Sequence, residues 1–127
     1  MIPPESSDNA RAAEFFVTLL HAATSVHLLH LQTRSYSQHE ALGELYGSLP
    51  GMVDSVIESY QGKYGVITSY PSGYAVPTAE PLAFVSALSD YVTANREAVA
   101  SDSEIQNDID EIQAAINKAI YKLRFLA

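Results

Sequence analysis

Two pairs of side chains that commonly bind metals lie in the first half of the chain. The first pair is His27 and His39, the second is Asp54 and Glu58, and eleven, fourteen and three residues separate successive members. Neutral imidazole and carboxylate together are the ligands expected for iron, manganese or zinc. The pattern therefore predicts a metal site, with the alternative that these residues form only hydrogen bonds and solvated helix faces.

The other two histidines lie nearby in the sequence. His30 follows His27 by three residues, so it could hold a metal ligand in the required orientation, or it could be an interfacial or surface histidine. For His21 the second interpretation is favoured. No Glu-x-x-His segment occurs, which excludes the usual di-iron site built within one helical chain.

Helical periodicity covers most of the chain. Apolar residues recur at intervals of three and four, and this spacing predicts four amphipathic helices. The predicted helices span about 8–32, 36–61, 80–100 and 102–125. The last helix is the most regular, with acidic residues early and basic residues late, as the helix dipole favours.

Capping residues indicate where some of these helices begin. Residues 1–6 contain two prolines and are expected to be extended, and Ser7 and Asp8 are good N-cap candidates for the first helix. Ser101 with Glu104 fits a capping box, which is expected to start the fourth helix.

The second predicted helix contains residues that weaken it. Pro50 removes the backbone hydrogen bond to Tyr46, so the helix either continues with a bend or breaks there. The apolar periodicity stays in phase across the proline and favours the continuous helix. Ser35 with Gln38 fits a capping box at the start, and Gly62 is expected to end the helix.

Residues 63–79 are unlike the rest of the chain, because prolines and glycines interrupt any regular helix there. A connection of this length is long for a compact domain, and it is expected to cross from one end of the bundle to the other. Its tyrosines, Tyr64, Tyr70 and Tyr74, are expected to pin the connection to the helices; a ligand site is the alternative.

Short turn, long crossover and short turn form the connection pattern of a ferritin-like four-helix bundle. The expected fold is therefore all-α, with residues 1–127 forming a single ferritin-like domain.

Composition narrows the range of functions. The chain has no cysteine, which excludes disulfides and thiolate metal sites. Its net charge of −8 makes nucleic-acid binding an unfavourable interpretation. No apolar run approaches the ~20 residues of a membrane span, and no signal peptide is recognisable, so a cytoplasmic protein is expected.

Helix geometry separates the two candidate ligand pairs. His39 and Asp54 lie fifteen residues apart on one predicted helix, or about 22 Å. If the first two helices form an antiparallel hairpin, His27 lies near the height of His39 and roughly 18 Å from Asp54. The pairs cannot meet within one chain, but they can meet across a two-fold axis, where a symmetric dimer forms two sites at once.

The spacing His-x11-His-x14-Asp-x3-Glu resembles the ferroxidase motif of the Dps family of mini-ferritins. The segment His-Glu-Ala-Leu at 39–42, which opens a predicted helix, is similar to that family's His-Glu-x-Leu segment. The resemblance covers roughly residues 20–62, and the small size resembles compact members from bacteriophages.

The resemblance implies a homo-oligomer in which His27 and His39 of one subunit bind iron together with the partner's Asp54 and Glu58. It further implies oxidation of Fe(II) by peroxide or oxygen and iron storage in a hollow shell such as a dodecamer, with Mn²⁺ or Zn²⁺ as substitutes for iron. The competing hypothesis is a non-catalytic structural or assembly protein, such as a phage virion component, that keeps the bundle for packing. The lysine-rich tail through which family members contact DNA is absent.

Overall fold

The computed structural model describes residues 7–126, and this part of the chain is all-helical, with four long helices and no strand. A short 3₁₀ turn follows the third helix. The elements are α1 Ser7–Gln32, α2 Tyr36–Tyr64, α3 Pro81–Asn95, the 3₁₀ turn Arg96–Ala98 and α4 Ser103–Phe125. The predicted arm at residues 1–6 and the proposed capping side chains of Ser7 and Asp8 lie outside the part that can be described.

Each long helix buries one face in a common core. In α4 the buried face contains four fully buried isoleucines spaced by four and three residues, as the apolar periodicity predicted: Ile105, Ile109, Ile112 and Ile116. Full burial of one such side chain contributes about 1.5–3 kcal/mol. The largest fully buried side chains of the whole core are Phe15, Phe16, Leu19, Val26, Leu42, Leu49, Val53, Tyr60, Ile105, Ile109, Ile112 and Ile116.

The helix α2 continues without interruption through Pro50, which confirms the continuous helix. The end expected at Gly62 is wrong, because the helix extends to Tyr64. Gly65 ends it with φ of +96°, a conformation that only glycine adopts at little cost, and its N–H donates to the Gln61 carbonyl at 2.9 Å. Gly62 lies inside the last turns of α2 and does not adopt a positive φ.

Capping follows the sequence at α2 and departs from it at α4. The Ser35 hydroxyl accepts the Gln38 N–H at 3.3 Å, as expected for an N-cap. The capping box predicted for Ser101 and Glu104 is wrong, because Asp102 is the residue that precedes α4 and its side chain makes no capping bond. The Asp102 carboxylate instead takes part in contacts with the end of α2, described below.

The helix α2 packs against both α1 and α4. The Tyr60 hydroxyl, near the end of α2, donates to Asn9 Oδ1 at the start of α1 over 2.6 Å. Lys122, near the end of α4, lies 2.5 Å from a carboxylate oxygen of Glu44 in the first turns of α2. These end-to-start contacts show that α2 runs antiparallel to both neighbours.

The helix α3 completes the arrangement by packing on α4 and, less extensively, on α1. Phe15 in α1 stacks on Tyr91 in α3 with ring centroids 6.0 Å apart. Arg96 Nε donates to Gln106 Oε1 at 2.9 Å and joins the end of α3 to the start of α4. The four helices therefore surround one core, in which α1 and α4 each contact both α2 and α3.

The most apolar helix is α1. By length and composition alone, Asn9–Gln32 meets the criteria for a membrane-crossing helix, with mean hydropathy 1.4 in its most apolar window. The sequence analysis had found no apolar run that approaches the length of a membrane span. In the structure 56% of that window is buried, and the buried side packs on α2 and α3. Core packing thus accounts for much of the apolar character of α1.

Candidate functional site

Two histidines join α1 to α2 beside the turn that connects these helices. His30 Nδ1 lies 2.7 Å from the His39 carbonyl oxygen, and His39 Nδ1 lies 2.9 Å from the His30 carbonyl oxygen. The two imidazole rings stack with centroids 3.7 Å apart and planes inclined by 18°. Because a carbonyl oxygen only accepts, each Nδ1 carries the proton in these bonds, which leaves each Nε2 as the ring nitrogen with a free lone pair when the ring is neutral.

Gly43 provides the space that this histidine pair needs. A Cβ added at Gly43 would lie 2.8 Å from His30 Cε1 and 3.0 Å from His30 Nδ1, closer than real side chains pack. The glycine follows His39 by one turn of α2 and faces α1. A glycine one turn after a histidine is a signal of close helix approach, and the sequence analysis did not use it.

The sequence argument placed His27 opposite His39, and the structure corrects this pairing. His27 instead stacks on Tyr46 with centroids 3.9 Å apart and planes inclined by 13°, while His30 lies opposite His39. Side chains on a helix lean towards its N-terminus. In an antiparallel hairpin the His27 side chain therefore leans away from the turn and that of His39 leans towards it, so the two rings diverge and His30 lies between them.

The tyrosine-rich connection contacts α1, as the sequence analysis expected for Tyr74. The Tyr74 hydroxyl lies 3.0 Å from the buried Ser25 hydroxyl, and its ring meets His21 edge-on with centroids 5.1 Å apart. His21 therefore has a packing role. Partial burial raises the pKa of Tyr70, in the same connection.

The end of α2 and the start of α4 are held together by a second polar cluster. The Tyr64 hydroxyl donates a short hydrogen bond to Asp102, and Lys63 Nζ lies 3.1 Å from the other carboxylate oxygen. These two donors lower the pKa of Asp102, the Tyr64 bond most strongly. This cluster explains why α2 extends beyond Gly62.

Asp54 and Glu58 lie one turn apart on the exposed side of α2. A hydrogen bond with Asp54 and the nearby Asp54 charge together raise the pKa of the exposed Glu58. The two carboxyl groups therefore lie close enough to share a proton, and their charges repel each other when both are ionised. A divalent cation between them would relieve that repulsion.

The structure brings Asp54 next to Glu58 and His30 next to His39, but it does not bring the histidines to the carboxylates. Within residues 7–126 no group of three or more histidine, aspartate or glutamate side chains is arranged to hold a metal ion. The described part of one chain therefore presents two separate pairs of side chains of metal-binding type, each with fewer ligands than a metal centre needs.

Comparison with known proteins identifies the family. The family model of DUF5856, a family of unknown function, matches residues 30–123. The chain is also 26% identical over 121 residues to an uncharacterized 14.6 kDa protein from the mobD–ri intergenic region of enterobacteria phage T4, covering 94% of this chain and 92% of that protein. No solved structure matches the chain.

The identification as a Dps-like mini-ferritin is wrong, because the family model that matches is that of DUF5856, and the matching phage T4 protein is uncharacterized. The structure gives a physical reason for the misleading spacing. His27 and His39 face their neighbours in the hairpin, Tyr46 and His30, so contacts inside one hairpin already fix their positions. Since the DUF5856 model covers about three quarters of the sequence, the chain belongs to DUF5856, a family whose function is not known.

Proposed function

We propose that this protein forms a two-fold dimer through the outer side of the α1–α2 hairpin and binds iron between the subunits. His27 and His39 of one subunit would supply imidazole ligands, and the partner's Asp54 and Glu58 would supply carboxylates. The bound Fe(II) would be oxidised by peroxide or oxygen, so that the oligomer stores or detoxifies iron. The observation that carries the proposal is that the α1–α2 hairpin carries imidazoles near its turn and the carboxylate pair Asp54 and Glu58 farther along α2.

The proposed fold is a ferritin-like bundle in which residues 65–80 form a long crossover. Since α1 runs antiparallel to α2, and Phe15 near the start of α1 meets Tyr91 near the end of α3, α2 and α3 would point the same way. A connection between helices that point the same way has to return along the bundle. The bond from Tyr74 to Ser25 along α1 supports this course.

His39 and Asp54 lie on one side of α2, and His27 reaches the same side from α1, where it stacks on Tyr46. His39, Gly43, Tyr46, Pro50 and Asp54 succeed one another at intervals of three or four residues, the spacing of a single helix face. Since His39 contacts α1 through His30, this face borders α1. The fifteen residues between the ends correspond to about 22 Å of helix. A two-fold axis midway along the face would bring each histidine end against the partner's carboxylate end.

Apolar side chains on α1 support contact at the same surface. Leu20 and Leu31 are 39% and 62% exposed, and they precede and follow His27 by seven and four residues, so they share its helix face on α1. Exposed leucines around a stacked aromatic pair form a surface that a partner would cover. Burying them would add a hydrophobic contribution of about 25 cal/mol per Å² to dimer formation.

The donor set fits a divalent transition metal. Carboxylates with imidazoles suit iron, manganese and zinc. The bond from His39 Nδ1 to the His30 carbonyl fixes the tautomer and leaves Nε2 for a ligand, which is the arrangement in which histidines bind metals. Because His30 lies between them, His27 and His39 offer two separate donor positions rather than one chelating pair. Two ions, each shared with a partner carboxylate, fit this spacing.

Anaerobic Fe(II) titration of the full chain, followed by peroxide, tests the proposal. We expect stoichiometric binding per dimer and rapid oxidation in the wild type, and loss of both in the variant D54N/E58Q. The matched control D90N/E97Q removes two exposed acidic groups from the α3 region and should bind iron as the wild type does. Binding that is absent in the wild type, or unchanged in D54N/E58Q, would refute the metal site.

The E58Q variant separates loss of ligand from loss of folding. The raised pKa of Glu58 means that folding disfavours the ionised form of this carboxyl group. The ionised Glu58 therefore destabilises the folded protein once the pH rises through the raised pKa. E58Q should therefore raise the melting temperature of the metal-free protein at neutral pH while weakening iron binding. A lower melting temperature would contradict this account of the pair.

A second candidate function is a non-catalytic assembly protein, located in the cytoplasm or in a virus particle. It is favoured by the ring contacts of His27 and His39, which already give both residues a packing role. In that case the two-fold dimer would persist without metal, the wild type would bind no iron, and His27→Gln would still weaken the hairpin. The acidic surface argues against nucleic acid as a partner in either case.

A further inference from the structure

One side of α4 changes from acidic to basic along its length. Residues at intervals of four and three form a single stripe, beside the buried isoleucines and on the side that faces α2. The stripe begins with acidic side chains, has a small residue in its centre and ends with lysines. Its members are Glu104, Asp108, Glu111, Ala115, Lys118 and Lys122.

The stripe borders an open groove between α4 and α2. Small and apolar side chains form the middle of the groove, among them Ala115 and Ala119 from α4 and Leu45 and Met52 from α2. The groove has a volume of about 360 Å³, and a smaller one of about 140 Å³ lies farther along the same helix pair, lined by Asp108 among others. Small side chains at the centre allow close approach of a partner surface.

We propose that this α2–α4 face binds the same face of a second copy of the chain, with the two α4 helices antiparallel. A two-fold axis that passes near Ala115, perpendicular to the helices, would place Lys118 and Lys122 against the partner's acidic half-stripe. The reverse contact would form at the other end by symmetry. The stripe is self-complementary only in this antiparallel arrangement, because a parallel one would align like charges.

The arrangement also fits the charge balance of the molecule. The chain carries a net charge of −8, and two of its three lysines lie on this stripe. Lys122 already pairs with Glu44 in its own chain, and the charge of Lys118 acts on the same carboxylate more weakly, so Lys118 is the less engaged of the two lysines. Two lysines against one glutamate, Glu44, leave a net positive charge at the basic end of the stripe. The acidic end keeps a net negative charge.

This interface is separate from the α1–α2 face proposed above for iron. One isologous interface closes at a dimer, whereas two different isologous interfaces on one subunit generate a tetramer or a larger symmetric assembly. The α2–α4 contact would therefore be what extends the iron-binding dimer into a larger particle. It depends on charge, so added salt should weaken it.

Charge reversal with sedimentation velocity tests the inference. We expect K118E/K122E to lower the mass of the wild-type assembly at least twofold at micromolar concentration, and D108K/E111K to do the same. Mixing the two variants should restore the wild-type mass, because one then has two acidic half-stripes and the other has two basic ones. Failure of the mixture to recover, or an unchanged mass in K118E/K122E, would overturn the proposal.

Two controls make the result specific. R124E reverses a charge on the α3 side of α4 and should leave the mass unchanged. K118E alone keeps the pair between Lys122 and Glu44, so it should fold as the wild type and still associate more weakly. Iron binding in K118E/K122E should remain intact, and the charge-swap result is read independently of whether the wild type binds iron.

Discussion

Replacing Gly43 by alanine tests the contact between the two helices of the hairpin. In a solvent-exposed helix, glycine to alanine normally stabilises by about 1 kcal/mol, because alanine loses less conformational freedom on folding. At Gly43 the new methyl group would approach His30 Cε1 to 2.8 Å, so the imidazole has to move. The variant therefore sets a helix-propensity gain against the loss of the His30 contacts.

The contacts at stake give the magnitude. A displaced His30 loses its bond to the His39 carbonyl, worth about 0.5–1.5 kcal/mol, and the ring stack on His39, worth about 0.5–1.5 kcal/mol. Together they exceed or match the propensity gain. We expect the free energy of unfolding of G43A to be at or up to about 2 kcal/mol below that of the wild type.

Gly47 supplies a matched control on the same helix. A Cβ added at Gly47 meets no atom within 4 Å, so G47A should gain the propensity term alone. Urea denaturation followed by circular dichroism should place G43A about 1–3 kcal/mol below G47A in stability, with unchanged m-values. The comparison cancels the helix-propensity contribution, which the two substitutions share.

The result that refutes the reasoning is a G43A protein as stable as G47A. A double-mutant cycle with H30A sharpens the test, because removing the ring removes the clash. In the H30A background, G43A should stabilise the protein as G47A does, which gives a coupling energy between positions 30 and 43 of roughly 1 kcal/mol or more. Additive effects would show that Gly43 and His30 do not interact as the distance indicates.

Two further predictions concern the contacts at the other end of α2. Tyr64 and Lys63 lower the pKa of Asp102, so the ionised Asp102 stabilises the fold at pH values above its ordinary pKa. This stabilisation disappears as the pH falls through the lowered pKa. Thermal melts across pH should therefore show a stability difference between wild type and D102N that is largest near neutral pH and smaller in acid. Tyr60→Phe removes the buried bond to Asn9 and should cost about 1–3 kcal/mol by urea denaturation, whereas Tyr121→Phe, at a side chain that is 53% exposed, should stay within about 0.5 kcal/mol of the wild type.

The helices were readable from the sequence because each one carries its own apolar face. The isoleucines of α4 keep a strict spacing, so both the helix and its buried side follow from periodicity. The continuity of α2 across Pro50 followed for the same reason. Helix ends were less predictable. Gly65 rather than Gly62 ends α2, and the Asp102 side chain, which precedes α4, binds Tyr64 at the end of α2.

The candidate site could be read only in part. Residue types and helix rise were enough to separate His39 from Asp54 by about 22 Å, and the structure keeps both residues on the continuous helix α2. The resemblance to a known iron-binding motif was wrong, because four residues at a matching spacing do not carry the identity of a family. The pairing of His30 with His39 was also missed, since spacing along a chain does not say which way side chains lean.

The sequence by itself determined that the chain is helical and which segments form most of the helices. It also determined that the residues able to bind a metal fall into two groups. These properties depend on local spacing and on charge, both of which are present in the linear chain. Only the tertiary structure decided that His30 and His39 bind each other's carbonyls, that Gly43 makes room for them, and that α4 presents an acidic-to-basic stripe beside a groove. Those features arise where two helices meet, so they depend on the direction of side chains across an interface that no single helix contains.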